Sequence, residues 1–137
     1  MPLIYLTRRA QFSASHRLHA SGLSDDENRR IFDKCNNPHG HGHNYVVEVT
    51  VKGEVEGATG MVMSLSDLKA AIEEAVMKDL DHKNLNLDVP EFKDLNPTAE
   101  NIALVLWRRL KKKLPKGLLH EVKLHETENN VVVYRGE

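Results

Sequence analysis

A single cysteine stands among the 137 residues, so no disulfide can form within the chain. That scarcity fits a reducing compartment. No apolar run approaches the ~20 residues needed to cross a bilayer. The opening Met1-Pro2-Leu3-Ile4-Tyr5-Leu6-Thr7-Arg8-Arg9 carries an apolar stretch too short for a signal peptide. Neither sign of charge dominates: 19 lysines and arginines face 20 aspartates and glutamates, for a formal net charge of −1. So balanced a chain lacks the field that would draw in nucleic acid or an acidic membrane. Repeats, linkers and low-complexity segments are missing as well. The expectation is a soluble, cytoplasmic protein with one domain over residues 1–137, burying about two-thirds of its unfolded surface.

Periodicity supplies the elements. Residues 4–13 read as a strand, followed by a polar stretch over 21–28 that is a surface loop or a short helical insert. Residues 43–52 form the clearest strand, with Tyr45, Val47, Val49 and Val51 on one face and Val46, Glu48, Thr50 and Lys52 on the other. A turn-rich crossing covers 53–60. A first helix starts near Ser64 or Ser66, where Ser64-Leu65-Ser66-Asp67 fits a capping box; its stripe is Leu68, Ile72, Ala75, Val76 and Leu80. Asn96-Pro97 opens a second helix with proline in its first turn. Its stripe is Ala99, Ile102, Ala103, Leu106, Trp107, Leu110 and Leu114. The basic run from Arg108 to Lys113 reads as a solvated end that complements the helix dipole. Strands over 121–126 and 130–135, joined by a tight polar turn, complete the chain. The order β-β-α-α-β-β predicts an α+β domain: four strands in one antiparallel sheet, both helices on a single face. Placed at an open edge, Val131-Val132-Val133-Tyr134 would invite pairing with another chain.

Chemistry concentrates in Cys35-Asn36-Asn37-Pro38-His39-Gly40-His41-Gly42-His43-Asn44-Tyr45. In an extended strand, side chains two apart share a face, so His41 and His43 can offer imidazoles to one ion. Zinc is the cation that neutral imidazoles suit first, and His16 is the candidate third ligand. Three histidines leave a fourth position open, the pattern of catalytic zinc. His39 and His41 repeat the same spacing. The pair His41 and His43 is favoured because Asn44-Tyr45-Val46-Val47 continues His43 into the strand, while Pro38 holds His39 outside it. Cys35 has three possible roles: a fourth ligand, a thiolate whose pKa is lowered by a nearby dication, or an inert filler. Asp81-His82 reads either as a capping pair or as an orienting carboxylate with its imidazole. Glu126 is either solvated or held to accept two parallel hydrogen bonds from an amino-pyrimidine edge. His19, His120 and His125 read as ordinary histidines.

Together these residues resemble the 6-pyruvoyl-tetrahydropterin synthase family, in its animal form. The resemblance is carried by Phe12-Ser13-Ala14-Ser15-His16-Arg17-Leu18, the Cys35–Tyr45 segment, Thr59-Gly60-Met61-Val62-Met63, Leu80-Asp81-His82-Lys83-Asn84-Leu85, and Glu126-Thr127 with Asn129-Asn130-Val131-Val132-Val133-Tyr134. It covers nearly the whole chain, and departs mainly at His39, where asparagine is expected. It implies a lyase of tetrahydrobiopterin biosynthesis that converts 7,8-dihydroneopterin triphosphate to 6-pyruvoyl-tetrahydropterin and triphosphate. The 6-carboxytetrahydropterin synthases of deazaguanine biosynthesis, which share the fold, are the alternative, and a non-enzymatic zinc module closed by Cys35 is a second. By resemblance, His16, His41 and His43 hold Zn2+, Cys35 abstracts a proton, Asp81 and His82 relay it, and Glu126 anchors the pterin. Mg2+ would accompany the triphosphate, with Arg17 and Lys34 as guesses for phosphate contacts. The implied fold is the T-fold, whose four-stranded sheets close a barrel in a trimer, two trimers stacking into a homohexamer with sites between subunits.

Overall fold

The structure is a computed structural model that describes residues 2–137. β1 (Leu3–His16) and β2 (His41–Glu54) pair antiparallel along their full lengths, from Leu3 opposite Glu54 to His16 opposite His41. β4 (Leu119–His125) continues the sheet beside β2, and β5 (Val131–Tyr134) closes it beside β4. The sheet is larger than expected. A two-residue strand, β3 (Lys83–Asn84), adds to the outer side of β1 in parallel at Ala14 and Ser15, giving the order β3-β1-β2-β4-β5. Five strands in a mixed sheet therefore replace the four antiparallel ones. Two residues are too few to show a period, so β3 leaves no trace in the hydrophobic pattern.

The helical layer is also more divided than the periodicity suggested. The polar stretch after β1 folds as α1 (Asp25–Phe32), started by a capping box in which Ser24 accepts from the Glu27 N–H and Glu27 reaches back to Ser24. The box expected at Ser64 does not form: Ser64 precedes α2 (Leu65–Ile72) but makes no side-chain cap. Asp67 is one methylene shorter than the glutamate that such a box uses. A π turn over Glu73–Met77 joins α2 to α3 (Lys78–Leu80). The stripe Leu68, Ile72, Ala75, Val76 and Leu80 is buried throughout. After the short α4 (Leu85–Asp88), α5 (Ala99–Lys113) begins with Thr98 accepting from the Asn101 N–H. Pro97 thus lies outside the helix, ahead of the cap, rather than in its first turn.

One sheet face carries the core. Phe12 and Ala14 of β1, Tyr45, Val47, Val49 and Val51 of β2, and Val122 and Leu124 of β4 are buried against Leu68, Leu80, Ile102, Leu106 and Leu110. Phe12 and Tyr45 stack with ring centroids 5.0 Å apart, at the end of the core where β1 and β2 reach their histidines. The opposite face is mixed: a Thr7–Thr50 hydroxyl contact of 2.6 Å and a His125–Glu48 pair of 2.6 Å share it with exposed Leu3, Tyr5, Val131 and Val133. Both sheet edges stay open. Val131 and Val133 are exposed on β5, and Leu3, Ile4 and Tyr5 are exposed where β1 has no outer partner. Among the described residues no helix is long and apolar enough to cross a membrane.

Candidate active site

The core face ends in imidazoles. His16 closes β1 and His41 opens β2 directly across from it, while His43 follows two residues later on the same face. Each can direct one nitrogen to a common point, all three ligand atoms lying within 4.8 Å of one another. His16 is fully buried, and its Nδ1 lies 2.7 Å from the Pro97 carbonyl oxygen. A carbonyl only accepts, so Nδ1 holds the proton and Nε2 keeps its lone pair. That lone pair faces His41, whose Nε2 is 3.2 Å away. Nitrogens about 2.0–2.1 Å from a tetrahedral zinc stand roughly 3.3 Å apart, so the spacing suits such an ion. His41 Nδ1 and His43 Nε2 are buried without a partner. An unmade hydrogen bond of that kind costs about 1–3 kcal/mol, which a bound cation would offset at His43 Nε2, while His41 would meet the ion through the Nε2 that faces His16.

Electrostatics keep the cluster in ligand form. Burial lowers the pKa of His16 to about 4, helped by the neighbouring His41 and His43 against the Pro97 hydrogen bond. Burial and His43 lower that of His41 as well. Both imidazoles are therefore neutral near pH ~7, as metal ligands must be. The Tyr45 hydroxyl stands 3.3 Å from His16 Nδ1, and burial with the Glu126 charge pushes its pKa up, so it stays protonated. Three imidazoles can hold a divalent cation here, and the donor set fits zinc.

Glu126 and Cys35 come to the same place. Glu126 follows β4 directly, tied by its N–H to the Asn130 carbonyl, and its Oε2 is 3.9 Å from His16 Nε2. Cys35 lies on a 3₁₀ turn (Asp33–Asn36) and lines a cavity of about 600 Å³ with Lys34, Asn37 and His41. The thiol is not one of the clustered ligand groups, so a closed four-ligand centre is not assembled. Its pKa is raised rather than lowered: burial pushes the thiol up, and the carboxylates of Glu126 and Asp33 add to it. The expected lowering needs a positive charge at the imidazoles, which the protein alone does not provide.

Asp81 and His82 lie elsewhere in the chain. His82 donates its N–H to the Ser13 carbonyl (2.6 Å), and Asp81 Oδ1 accepts from the Ser13 N–H (2.9 Å) and sits 3.0 Å from His82 Nδ1. The Ser13 N–H, ahead of His82, holds the Asp81 carboxyl below its ordinary range. Both residues thus occupy the outer edge of β1, two strand spacings (~10 Å) from β2 and its histidines. The His82 side chain is 82% exposed and its backbone adopts φ = +63°, a left-handed conformation uncommon outside glycine. One chain does not bring this pair to Cys35. His39 is exposed on the turn before β2, and lines a separate cavity of about 750 Å³ with Arg17, His19 and Lys93. Arg17 and Lys34 share a third, of about 330 Å³. Sequence reasoning overlooked two groups at the cluster. The Pro97 carbonyl has no side-chain signal, and Tyr45 read only as core.

Residues 5–137 match the family model described as 6-pyruvoyl tetrahydropterin synthase. The chain belongs to that family. It is 60% identical over 132 residues to the human 6-pyruvoyl tetrahydrobiopterin synthase, covering 96% of this chain and 91% of the human one. The Dictyostelium discoideum 6-pyruvoyl tetrahydrobiopterin synthase is 52% identical, over 98% of this chain and 97% of its own. Among solved structures, the Caenorhabditis elegans 6-pyruvoyl tetrahydropterin synthase superposes with a TM-score of 0.96 at 42% identity, covering 100% of this chain and 98% of that one. A Plasmodium falciparum structure of the same description shares the fold, with a TM-score of 0.68 at 17% identity. Membership in the family makes the chain an enzyme of tetrahydrobiopterin synthesis.

Proposed function

We propose that the chain converts 7,8-dihydroneopterin triphosphate to 6-pyruvoyl-tetrahydropterin, releasing inorganic triphosphate. The observation that carries this reading is the trio of a buried His16 with half-buried His41 and His43, two of its nitrogens unpartnered, in which His41 lines a cavity that also holds the lone cysteine. His16, His41 and His43 would hold zinc, which when bound supplies Lewis acidity for the hydroxyl oxygens of the substrate side chain.

The chain's own residues supply the rest. Glu126 accepts hydrogen bonds from the amino edge of the pterin and so places the side-chain carbons beside the thiol. Cys35, as thiolate, removes a carbon-bound proton. Protonation of the ring completes its reduction at the expense of its own side chain, so no nicotinamide is consumed. Elimination of triphosphate, escorted by Mg2+ with Arg17 and Lys34 as candidate contacts, leaves the two carbonyls of the pyruvoyl group. Asp81 orients His82 for the relay, and their place on an open edge supports service to the Cys35 of a neighbouring subunit. The same open edges support a trimeric barrel and a hexamer built from two of them.

The test is incubation of the zinc-loaded protein with dihydroneopterin triphosphate and magnesium, followed by analysis of both products. Pyruvoyl-pterin with triphosphate is expected. Carboxy-pterin with acetaldehyde would move the enzyme to the 6-carboxytetrahydropterin synthases, and no consumption of substrate would overturn the reading.

A further inference from the structure

Four consecutive residues leaving β1 are held by asparagine side chains rather than by a neighbouring strand. Asn86 accepts from the Arg17 N–H (2.7 Å) and donates to the Arg17 carbonyl (3.0 Å). Asn96 accepts from the His19 N–H (3.1 Å), and Asn28 brackets Ala20, accepting from its N–H (2.7 Å) and donating to its carbonyl (2.9 Å). Leu18 is different, because its partners come from the turn that bears the cysteine. Its N–H donates to the Cys35 carbonyl (2.8 Å), and its carbonyl accepts from Asn36 Nδ2 (2.7 Å). Asn36 Nδ2 also donates to His19 Nδ1 (3.0 Å), while the Asn36 carbonyl accepts from Arg17 Nε (3.1 Å).

Asn36 is 5% exposed, on a four-residue turn that follows α1 directly and belongs to no strand. Asp33, which starts the turn, holds φ = +51°, so the backbone there does not rest in an ordinary well. The path from Cys35 to the imidazoles is therefore short and polar: Cys35, the Asn36 carboxamide, Leu18, and then His16 two residues back along the chain.

We propose that Asn36 is a positioning residue for the reaction: its carboxamide locks the Cys35 turn onto the segment leaving His16, and thereby fixes the thiol relative to the three-imidazole cluster. This rests on the reading of Cys35 as the base. A misplacement of about 1 Å at a reacting group can cost on the order of 10²-fold in rate, so the lock has a measurable consequence.

Asn36→Asp tests it, keeping the shape while replacing the NH2 donor with an oxygen that faces the Leu18 carbonyl. The expected result is zinc content and KM close to wild type, kcat lowered roughly 10-fold to 100-fold, and a changed rate of Cys35 alkylation by iodoacetamide. Asn28→Ala is the comparison, because it removes equally buried hydrogen bonds from Ala20 without touching the cysteine turn. It should lower Tm and keep kcat within about 2-fold. Wild-type kcat in folded Asn36→Asp, or an equal loss of kcat in Asn28→Ala, would overturn the proposal. Should Asn36→Asp fail to fold, Asn36→Ser, whose shorter side chain does not reach the Leu18 carbonyl, takes its place; wild-type kcat and alkylation there also overturn it. Cys35→Ala separates the two levels. If it turns over at the wild-type rate, the role of Cys35 fails and this inference with it. If it is inactive while Asn36→Asp is fully active, only the inference fails.

Discussion

At the scale of single residues, the proposed site divides into groups that could hold a metal and groups proposed to do chemistry beside it. His43 Nε2 is buried with no partner, so its loss should cost the ion and leave the core intact. His43→Ala should lose bound zinc and activity together, as metal analysis alongside turnover would show. His39→Asn should keep its zinc, since that side chain is exposed on the turn before β2; stoichiometric loss would mean that the ligand pair is His39 and His41. Cys35→Ala should retain zinc yet lose on the order of 10²-fold or more in single-turnover rate, as expected for a removed general base. Metal released together with the thiol would instead make Cys35 a ligand. Glu126→Gln should weaken a non-reacting pterin analogue about 10-fold or more while leaving zinc content alone, because it exchanges a charge-assisted acceptor for a neutral one. The proximity of Glu126 to His16, at 3.9 Å, is what makes equal metal content in that variant an informative measurement.

At the scale of elements, the pattern of the sequence and the pattern of the structure agree where many residues repeat a period. β2 was legible because Tyr45, Val47, Val49 and Val51 alternate without a break, and all four are fully buried. Two of the three clustered histidines were legible for the same reason, since strand alternation places His41 and His43 on one face, whereas His16 joins them only through the pairing of β1 with β2. β3 was not, because two residues carry no period. Nor was the use of Pro97, whose carbonyl serves His16 while Thr98 takes over the cap. The raised pKa of Cys35 comes first from burial and then from Glu126, 91 positions away in sequence, and no local motif records either. The helical layer holds one ion-pair knot with a testable signature. Arg109 donates to both carboxylate oxygens of Glu91 (2.6 and 2.8 Å) and to Asp79 of α3 (2.6 Å). Hydrogen bonds from Arg109 hold the Glu91 carboxyl below its ordinary 4.5. A depressed carboxylate stabilises the fold above its unfolded pKa, and that stability is lost as the pH falls through the folded value. Arg109→Met should therefore lower stability at neutral pH, by roughly 1 kcal/mol or less once solvent screening is counted, and Tm with it. The gap should narrow below the ordinary carboxylate range and close only as the pH falls through the depressed folded value of Glu91. Thermal melts of metal-free protein at neutral pH and below that folded value check this, and a gap that persists in acid would show that Arg109 acts through packing alone.

At the scale of the whole molecule, the separation of Asp81 and His82 from Cys35 is the organising fact. The pair is tied to Ser13 on the outer edge of β1, while the thiol sits on the turn bonded to Leu18 and lines a cavity with His41, and the two are not in contact within one chain. Both edges of the sheet are unprotected, with Val131 and Val133 exposed on one and Leu3, Ile4 and Tyr5 on the other. Edge-to-edge pairing of identical chains would cover both at once and carry the His82 of one copy toward its neighbour. Sedimentation should accordingly report a trimer or hexamer, and a fully active monomer would contradict the shared site. Complementation gives the sharper measurement. Cys35→Ala and His82→Ala are each expected to be inactive as pure oligomers, because every site lacks one of the two groups. After unfolding and refolding as an equal mixture, a site whose thiol comes from a His82→Ala chain and whose imidazole comes from a Cys35→Ala chain is intact. Random assembly makes about a quarter of the sites of that kind, so turnover should recover to roughly that fraction of wild type. No recovery, in mixtures shown by mass spectrometry to contain both chains, would place thiol and imidazole within the same subunit or remove His82 from the relay.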